Sequence, residues 1–283
     1  MKTALIKFVG FIGDNLFASS IPEKLKQDGF EKVDVLLSIA QPFELIHNNP
    51  FIDETYLIDP NKSYTHVFQL YPIHRQNTPC YQLQKQCGVS SPTDDFKVYT
   101  NKKVDEYVSM LLQPYKNKKI VAWMSNWEEK SFLFTEEEYK RGIDVPNLGY
   151  GGKRRNIKYI ISELEKNNNL ILIEVGKPVG FSQREMDLDT VSSFTLTASL
   201  LKNCDYFIGS EGGLCNLAAG VGTKTIITGD YVHQLYGWNG VIEKNQEPKL
   251  GPKYYFPEFG HVTLDPYIDD IQVVNEIIKN IKL

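Results

Sequence analysis

The chain is poor in the features that most quickly fix a protein's class. Only four of its 283 residues are cysteines, Cys80, Cys87, Cys204 and Cys215. They lie far apart or in no ligand spacing, so neither a disulfide framework nor a zinc site is expected. Reduced thiols in a cytoplasmic setting are the expectation. The five histidines, His47, His66, His74, His233 and His261, show no ligand spacing either, and no metal is expected. Long hydrophobic runs are missing too. The apolar opening, MKTALIKFVGFIGDN, is interrupted by Lys7 and two glycines and closed by Asp14. It is too short for a membrane span and has no cleavage-type ending, so it reads as a first strand rather than a signal. The formal net charge is −4, which excludes a polycation; contact with nucleic acid would need a local basic face. No internal repeat or low-complexity segment is evident.

What remains is ordinary for a soluble globular protein, 42% hydrophobic and 23% charged residues. The length suits one large domain or two of about 100–150 residues, and two are favoured. The most informative stretch is Leu200 to Asp230. There an apolar run at Tyr206 to Ile208 breaks at Gly209-Ser210-Glu211-Gly212-Gly213, a helix-competent segment follows from Leu214 to Ala219, and a second strand spans Lys224 to Thr228. Adjacent glycines let the backbone approach a ligand closely, and the helix opening behind them offers unpaired N–H groups and a positive dipole end. A phosphate or diphosphate fits such a place; a tight structural connection is the plainer alternative.

The N-terminal third has the same grammar. Thr3 to Val9 reads as a buried strand, Gly10 to Asp14 as a glycine turn, and Asn15 to Gln27 as a helix that Pro22 delays or kinks. Val33 to Ile39 completes a strand-helix-strand unit, whose right-handed crossover makes the sheet parallel. Further strands are expected at 54–58 and 66–70, and helices at 43–47, 80–88 and 102–112. The polar stretch Gln113 to Lys119 precedes a fresh strand at Ile120 to Met124 and marks the domain boundary. Then come a helix at 156–166, a strand at 170–175, a helix at 195–202, the glycine corner, and a terminal helix at 268–281. The expected organisation is an N-terminal domain over 1–116, a second over 117–266, and a terminal helix over 267–283 that packs back on the first. Two alternating strand-helix sets imply an α/β protein with two Rossmann-like, doubly wound domains facing a central cleft.

Three segments carry a resemblance. IKFVGFIGDNLFASSIPEKLKQ, the element Asn49-Pro50-Phe51-Ile52-Asp53-Glu54, and FIGSEGGLCNLAAGVGTKTI together resemble the ADP-heptose:lipopolysaccharide heptosyltransferase family, glycosyltransferase family nine. The resemblance is piecewise but ordered, covering most of 1–60 and 150–230. It implies the GT-B architecture, no metal and no cofactor beyond a nucleotide-diphosphate sugar as co-substrate, and inversion at the anomeric carbon. By position, Asp14 matches the carboxylate proposed as general base in that family, a task for which a carboxylate within hydrogen-bond reach of a hydroxyl is suited; helix capping is its alternative role. Lys153, just before a helix, matches a lysine that reaches the donor phosphates, and with Arg154 and Arg155 would offset charge on the leaving group; a solvated basic turn is the alternative. Gly212, Gly213 and Leu214 would donate backbone N–H groups to the diphosphate. Glu211 stands where the family usually has Asp, Asn216 where His is common, and Lys224 where Pro is usual. Gly13, Asn15, Trp238 and Asn239 are further candidates for donor or acceptor contact, and Trp123, Trp127 and the pair Glu128-Glu129 for lining the cleft.

The function expected is transfer of a sugar from a nucleotide sugar to an acceptor hydroxyl, that of a surface glycan by the resemblance. The alternatives are a phage-type DNA glycosyltransferase acting on a hydroxymethylated base, a sugar-nucleotide epimerase, and a non-catalytic nucleotide-sugar binder. A basic rim of Lys116, Lys118, Lys119, Lys153, Arg154 and Arg155 would favour DNA.

Overall fold

This computed structural model describes residues 1–8, 10, 12–40, 42–71, 79–124, 156–175, 194–209, 212–228, 261–264 and 268–282. Two parallel sheets organise the chain. The first takes β1 (Thr3–Lys7), β2 (Lys32–Leu36), β3 (Glu54–Tyr56) and β4 (His66–Gln69) in the order β3-β2-β1-β4. The second takes β5 (Lys119–Met124), β6 (Leu170–Val175), β7 (Tyr206–Gly209), β8 (Lys224–Ile227) and β9 (Val262–Thr263) in the order β6-β5-β7-β8-β9. Each order reverses once, between β1 and β4 and between β5 and β7. The crevice outside the carboxyl ends of such strands is where open parallel sheets bind ligands.

Both faces of the second sheet are buried, which is why its strands read as continuous apolar runs. Along β5 the two-residue period sends Ile120, Ala122 and Met124 into one core and Val121 and Trp123 into the other. The second core is closed by α6 (Ile157–Glu165) and the terminal helix α9 (Asp270–Ile281), which pack on each other. Asn156 caps α6 through Tyr159 N, and Asp269 with Gln272 forms a capping box at the start of α9. So the terminal helix lies on the second sheet. Trp123, expected near the cleft, is fully buried under these helices.

The first core joins the two halves. It runs from the inner face of the first sheet (Ala4, Ile6, Val33, Val35) through α1 (Ile12–Ala18), α2 (Ile21–Gln27) and α4 (Pro79–Gln86) to α7 (Phe194–Lys202), α8 (Gly213–Val221) and the facing side of the second sheet. Helix α1 packs on α8, α3 (Phe43–His47) on α7, and α5 (Lys102–Leu112) on α7. Glu44 Oε2 accepts from Thr195 Oγ1 at 2.9 Å across the α3–α7 contact. Asp105 on α5 accepts from Lys202 Nζ at 2.6 Å and from Thr100 Oγ1 at 2.7 Å. The connector from 93 to 101 crosses the end of α8, where Val98 N donates to Gly220 O at 2.8 Å. A Cβ on Gly220 would fall 2.7 Å from the Phe96 ring, so a glycine is what lets connector and helix touch.

The other face of the first sheet differs from a doubly wound half. By register it presents Leu5, Asp34, Glu54 and Val67 in one row, and among the described residues no helix covers it. The β3-to-β4 crossover is an irregular segment instead. Tyr64 OH donates to Asp34 Oδ2 at 2.7 Å, Lys32 Nζ lies 3.3 Å from the same oxygen, and Lys7 Nζ meets Asp59 at 3.0 Å. Burial, then the Asp34 carboxylate, push the Tyr64 phenol above its ordinary range.

Candidate functional site

Both glycine corners sit at the carboxyl ends of strands bordering a reversal, one after β1 and one after β7. After β1 the chain turns at Gly10 with φ +86°, a conformation that disfavours other residues, and α1 begins at Ile12. Sequence periodicity places the helix start at Asn15; the structure starts it three residues earlier. Asp14 is therefore inside the first turn rather than at the cap position, and it folds back over Gly10, where a Cβ would fall 2.9 Å from Asp14 Cγ. Asn15 is fully buried and aims Nδ2 at Gly10 O, 3.5 Å away. It shapes the corner from behind.

After β7, Gly212 (φ +151°) takes the N-cap position of α8 and has no side chain with which to cap it. The N–H groups of Gly213 and Leu214 lie in the first turn, where the helical ladder itself supplies no acceptor. They carry the positive end of the helix dipole. One turn further, Asn216 is 3% exposed and its Oδ1 has no hydrogen-bond partner among the described residues.

The two corners meet. A Cβ on Gly13 would lie 2.6 Å from Asn216 Nδ2, and one on Gly213 would lie 3.7 Å from Ile12 Cγ2. Helices α1 and α8 thus pack with their opening turns together, which brings Asp14 and the amino end of α8 to the same end of the pair. At the far end of that pair lies a cavity of about 470 Å³, lined by Ser19, Ser20, Tyr99, Gly220 and Gly222 among others. It is separate from the corners.

Other candidates are placed differently. Lys153, Arg154, Arg155, Glu211, Trp238 and Asn239 lie outside the described residues, as do Trp127, Glu128 and Glu129. Lys116, Lys118 and Lys119 precede or open β5, at the amino end of the second sheet and away from the corners. Lys119 Nζ is paired with Asp205 at 3.0 Å. Among the described residues there is no group of three or more His, Cys, Asp or Glu side chains able to hold a metal, and no helix is long and apolar enough to cross a membrane. Sequence reasoning passed over Asn49 and Gln84, which bind the break between α1 and α2. Asn49 was visible only as part of a motif, and nothing in the pattern around Gln84 set it apart.

No family model matches the chain, and no curated protein matches it by sequence. Solved structures do match, over the full length. The family 9 glycosyl transferase from Veillonella parvula DSM 2008 superposes with a TM-score of 0.62 at 10% identity, covering 99% of this chain and 97% of that one. The ADP-heptose lps heptosyltransferase II of E. coli gives 0.63 at 10% identity, covering 100% and 99%. E. coli heptosyltransferase WaaC with ADP-2-deoxy-2-fluoro heptose gives 0.54 at 11% identity, covering 98% and 99%. The fold is GT-B. At this level of identity the likeness is one of backbone.

Proposed function

We propose that the chain is an inverting, metal-independent glycosyltransferase that moves a sugar from a nucleoside-diphosphate sugar to an acceptor hydroxyl, that of a glycan. One observation carries this reading: a carboxylate in the first turn of α1 and the amino end of α8 stand side by side at the carboxyl ends of the two sheets. Asp14 takes the proton of the acceptor hydroxyl as its oxygen bonds to the anomeric carbon. The bond from that carbon to the diphosphate breaks on the opposite side, and the anomeric configuration inverts. The negative charge gathering on the departing diphosphate is met by the N–H groups of Gly213 and Leu214 and by the α8 dipole. Lys153, Arg154 and Arg155, assigned by the family resemblance alone, are the proposed source of cationic charge for the same leaving group. Asn216, one turn behind those N–H groups and buried against Gly13, shapes the corner that receives the donor. The reading is supported further by two structures of similar fold that hold ADP or an ADP-sugar analogue.

A thermal-shift screen against nucleotide sugars identifies the donor, because a ligand that binds only the folded state raises its apparent stability. Asp14→Ala is expected to abolish transfer while leaving that shift nearly intact. Transfer at the wild-type rate would overturn the role of Asp14. Consumption of the nucleotide sugar with no acceptor present would identify an epimerase, and duplex binding that falls steeply with salt would identify a DNA-modifying enzyme.

A further inference from the structure

Helices α1 and α2 are two seven-residue pieces of what the sequence presents as one helix. Ser19 N still donates to Asn15 O at 3.1 Å and Ser20 N to Phe17 O at 3.2 Å, but Pro22 has no N–H to donate and its ring crowds the carbonyl of residue 18, so the ladder is interrupted after Ser20. A break inside a buried core leaves polar groups that need partners. Two buried amides take up groups at this break. Asn49, 2% exposed, donates Nδ2 to Ser19 O at 2.9 Å and accepts Phe51 N on Oδ1 at 3.0 Å. Gln84, fully buried on α4, donates Nε2 to Ser20 Oγ at 2.9 Å and accepts Thr93 N on Oε1 at 2.7 Å. Ser20 Oγ in turn donates to Phe17 O at 2.8 Å. Each amide therefore spends one end on the break and the other on a separate piece of chain, the turn after α3 in one case and the connector between the sheets in the other.

Seven residues are too few to hold a helix by its own hydrogen bonds. The placing of α1 depends on what grips its ends. We propose that Asn49 and Gln84 are positioning residues for the transfer reaction: they fix the bend between α1 and α2, and through it the place of Asp14 against α8. This rests on Asp14 acting as the base. Five residues separate Asp14 from Ser19, about 7.5 Å along the axis, so a change of about 10° at the bend carries the carboxylate about 1 Å. A displacement of that size can cost ~10²-fold in rate.

The test uses the full-length chain with the donor found by thermal shift. Asn49→Ala and Gln84→Ala are each expected to lower kcat by about 10- to 100-fold with the donor KM within about twofold of wild type. Asn49→Asp separates positioning from plain loss of stability. A protonated carboxyl can donate to Ser19 O and an ionised one cannot, so the activity of this variant relative to wild type should rise as pH falls, while that of Asn49→Ala stays level. Retention of kcat within about twofold in both alanine variants, or a level Asn49→Asp ratio, would overturn the proposal. Should an alanine variant fail to fold, Asn49→Asp and Gln84→Glu give the same reading. If wild type turns over no nucleotide sugar, the glycosyltransferase reading fails on its own. Amide exchange then judges the clamp: faster exchange confined to residues 15–20 in Asn49→Ala upholds it, and unchanged exchange there refutes it.

Discussion

Gly13→Ala probes the seam on which the candidate site depends. The new methyl carbon would fall 2.6 Å from Asn216 Nδ2 and 3.8 Å from its Cγ, against an unstrained separation of about 3.5–4.0 Å. Asn216 is 3% exposed and has little room to withdraw. Either its amide rotates out of place or α1 and α8 separate, an overpacking cost of about 1–3 kcal/mol. The gain from replacing a helical glycine is at most about 1 kcal/mol and smaller in a first turn, so a net loss of about 1–2 kcal/mol is expected. Asn216→Ala alone removes packing but also removes a buried Oδ1 that has no partner among the described residues and whose burial costs about 1–3 kcal/mol. It should be close to neutral. With alanine at both positions the methyl group has space, and most of the Gly13→Ala loss should vanish, giving a coupling of about 1–2 kcal/mol. Urea unfolding of the four proteins measures this as shifts of midpoint at constant slope. An equal loss from Gly13→Ala in both backgrounds would show that the two corners do not touch as described.

Other outcomes follow from charge and burial. All four cysteines are buried, and burial pushes the Cys87 and Cys204 thiols up to about 12. A disulfide reagent near pH 8 should react with them only on unfolding, and rapid reaction of the native chain would contradict their burial. At Asp105 burial opposes ionisation most strongly, but the hydrogen bonds from Lys202 and neighbouring hydroxyls and the Lys202 charge together outweigh it and hold the carboxyl below its ordinary range. A depressed carboxylate adds stability above its unfolded value of about 3.9 and loses it as pH falls through the folded one. Asp105→Asn should therefore cost about 1 kcal/mol at neutral pH, and the difference from wild type should shrink below about pH 4. A pH-independent difference would mean that the pair does not matter.

Much of this was legible before any coordinates. Apolar runs and turn residues located the first eight strands, while the two-residue β9 at the edge of the second sheet reads as loop. Both faces of the second sheet are covered, so Leu170 to Val175 could hardly be anything but a buried parallel strand. The helix after β1 was legible in kind but not in bounds, because periodicity cannot see that Ile12 packs against Gly213 and so draws Asp14 into the first turn. The place of Trp123 was misjudged for a related reason. An aromatic residue near a strand end reads the same whether it faces a cleft or a helix pair, and here α6 and α9 cover it. That no helix among the described residues covers the outer face of the first sheet left no trace that periodicity could read, since Asp34, Lys32 and Tyr64 look like surface residues until the fold stacks them.

Local sequence determined where the chain turns and which segments alternate, because backbone freedom at Gly10 and Gly212 and the two-residue period of buried strands act over a few residues. Only the tertiary structure decided that two corners about 200 residues apart share one end of a helix pair, that Asn216 lies against Gly13, and that Asn49 and Gln84 close on the same break. Such meetings depend on how two sheets dock through a common core, and no stretch of sequence contains both partners.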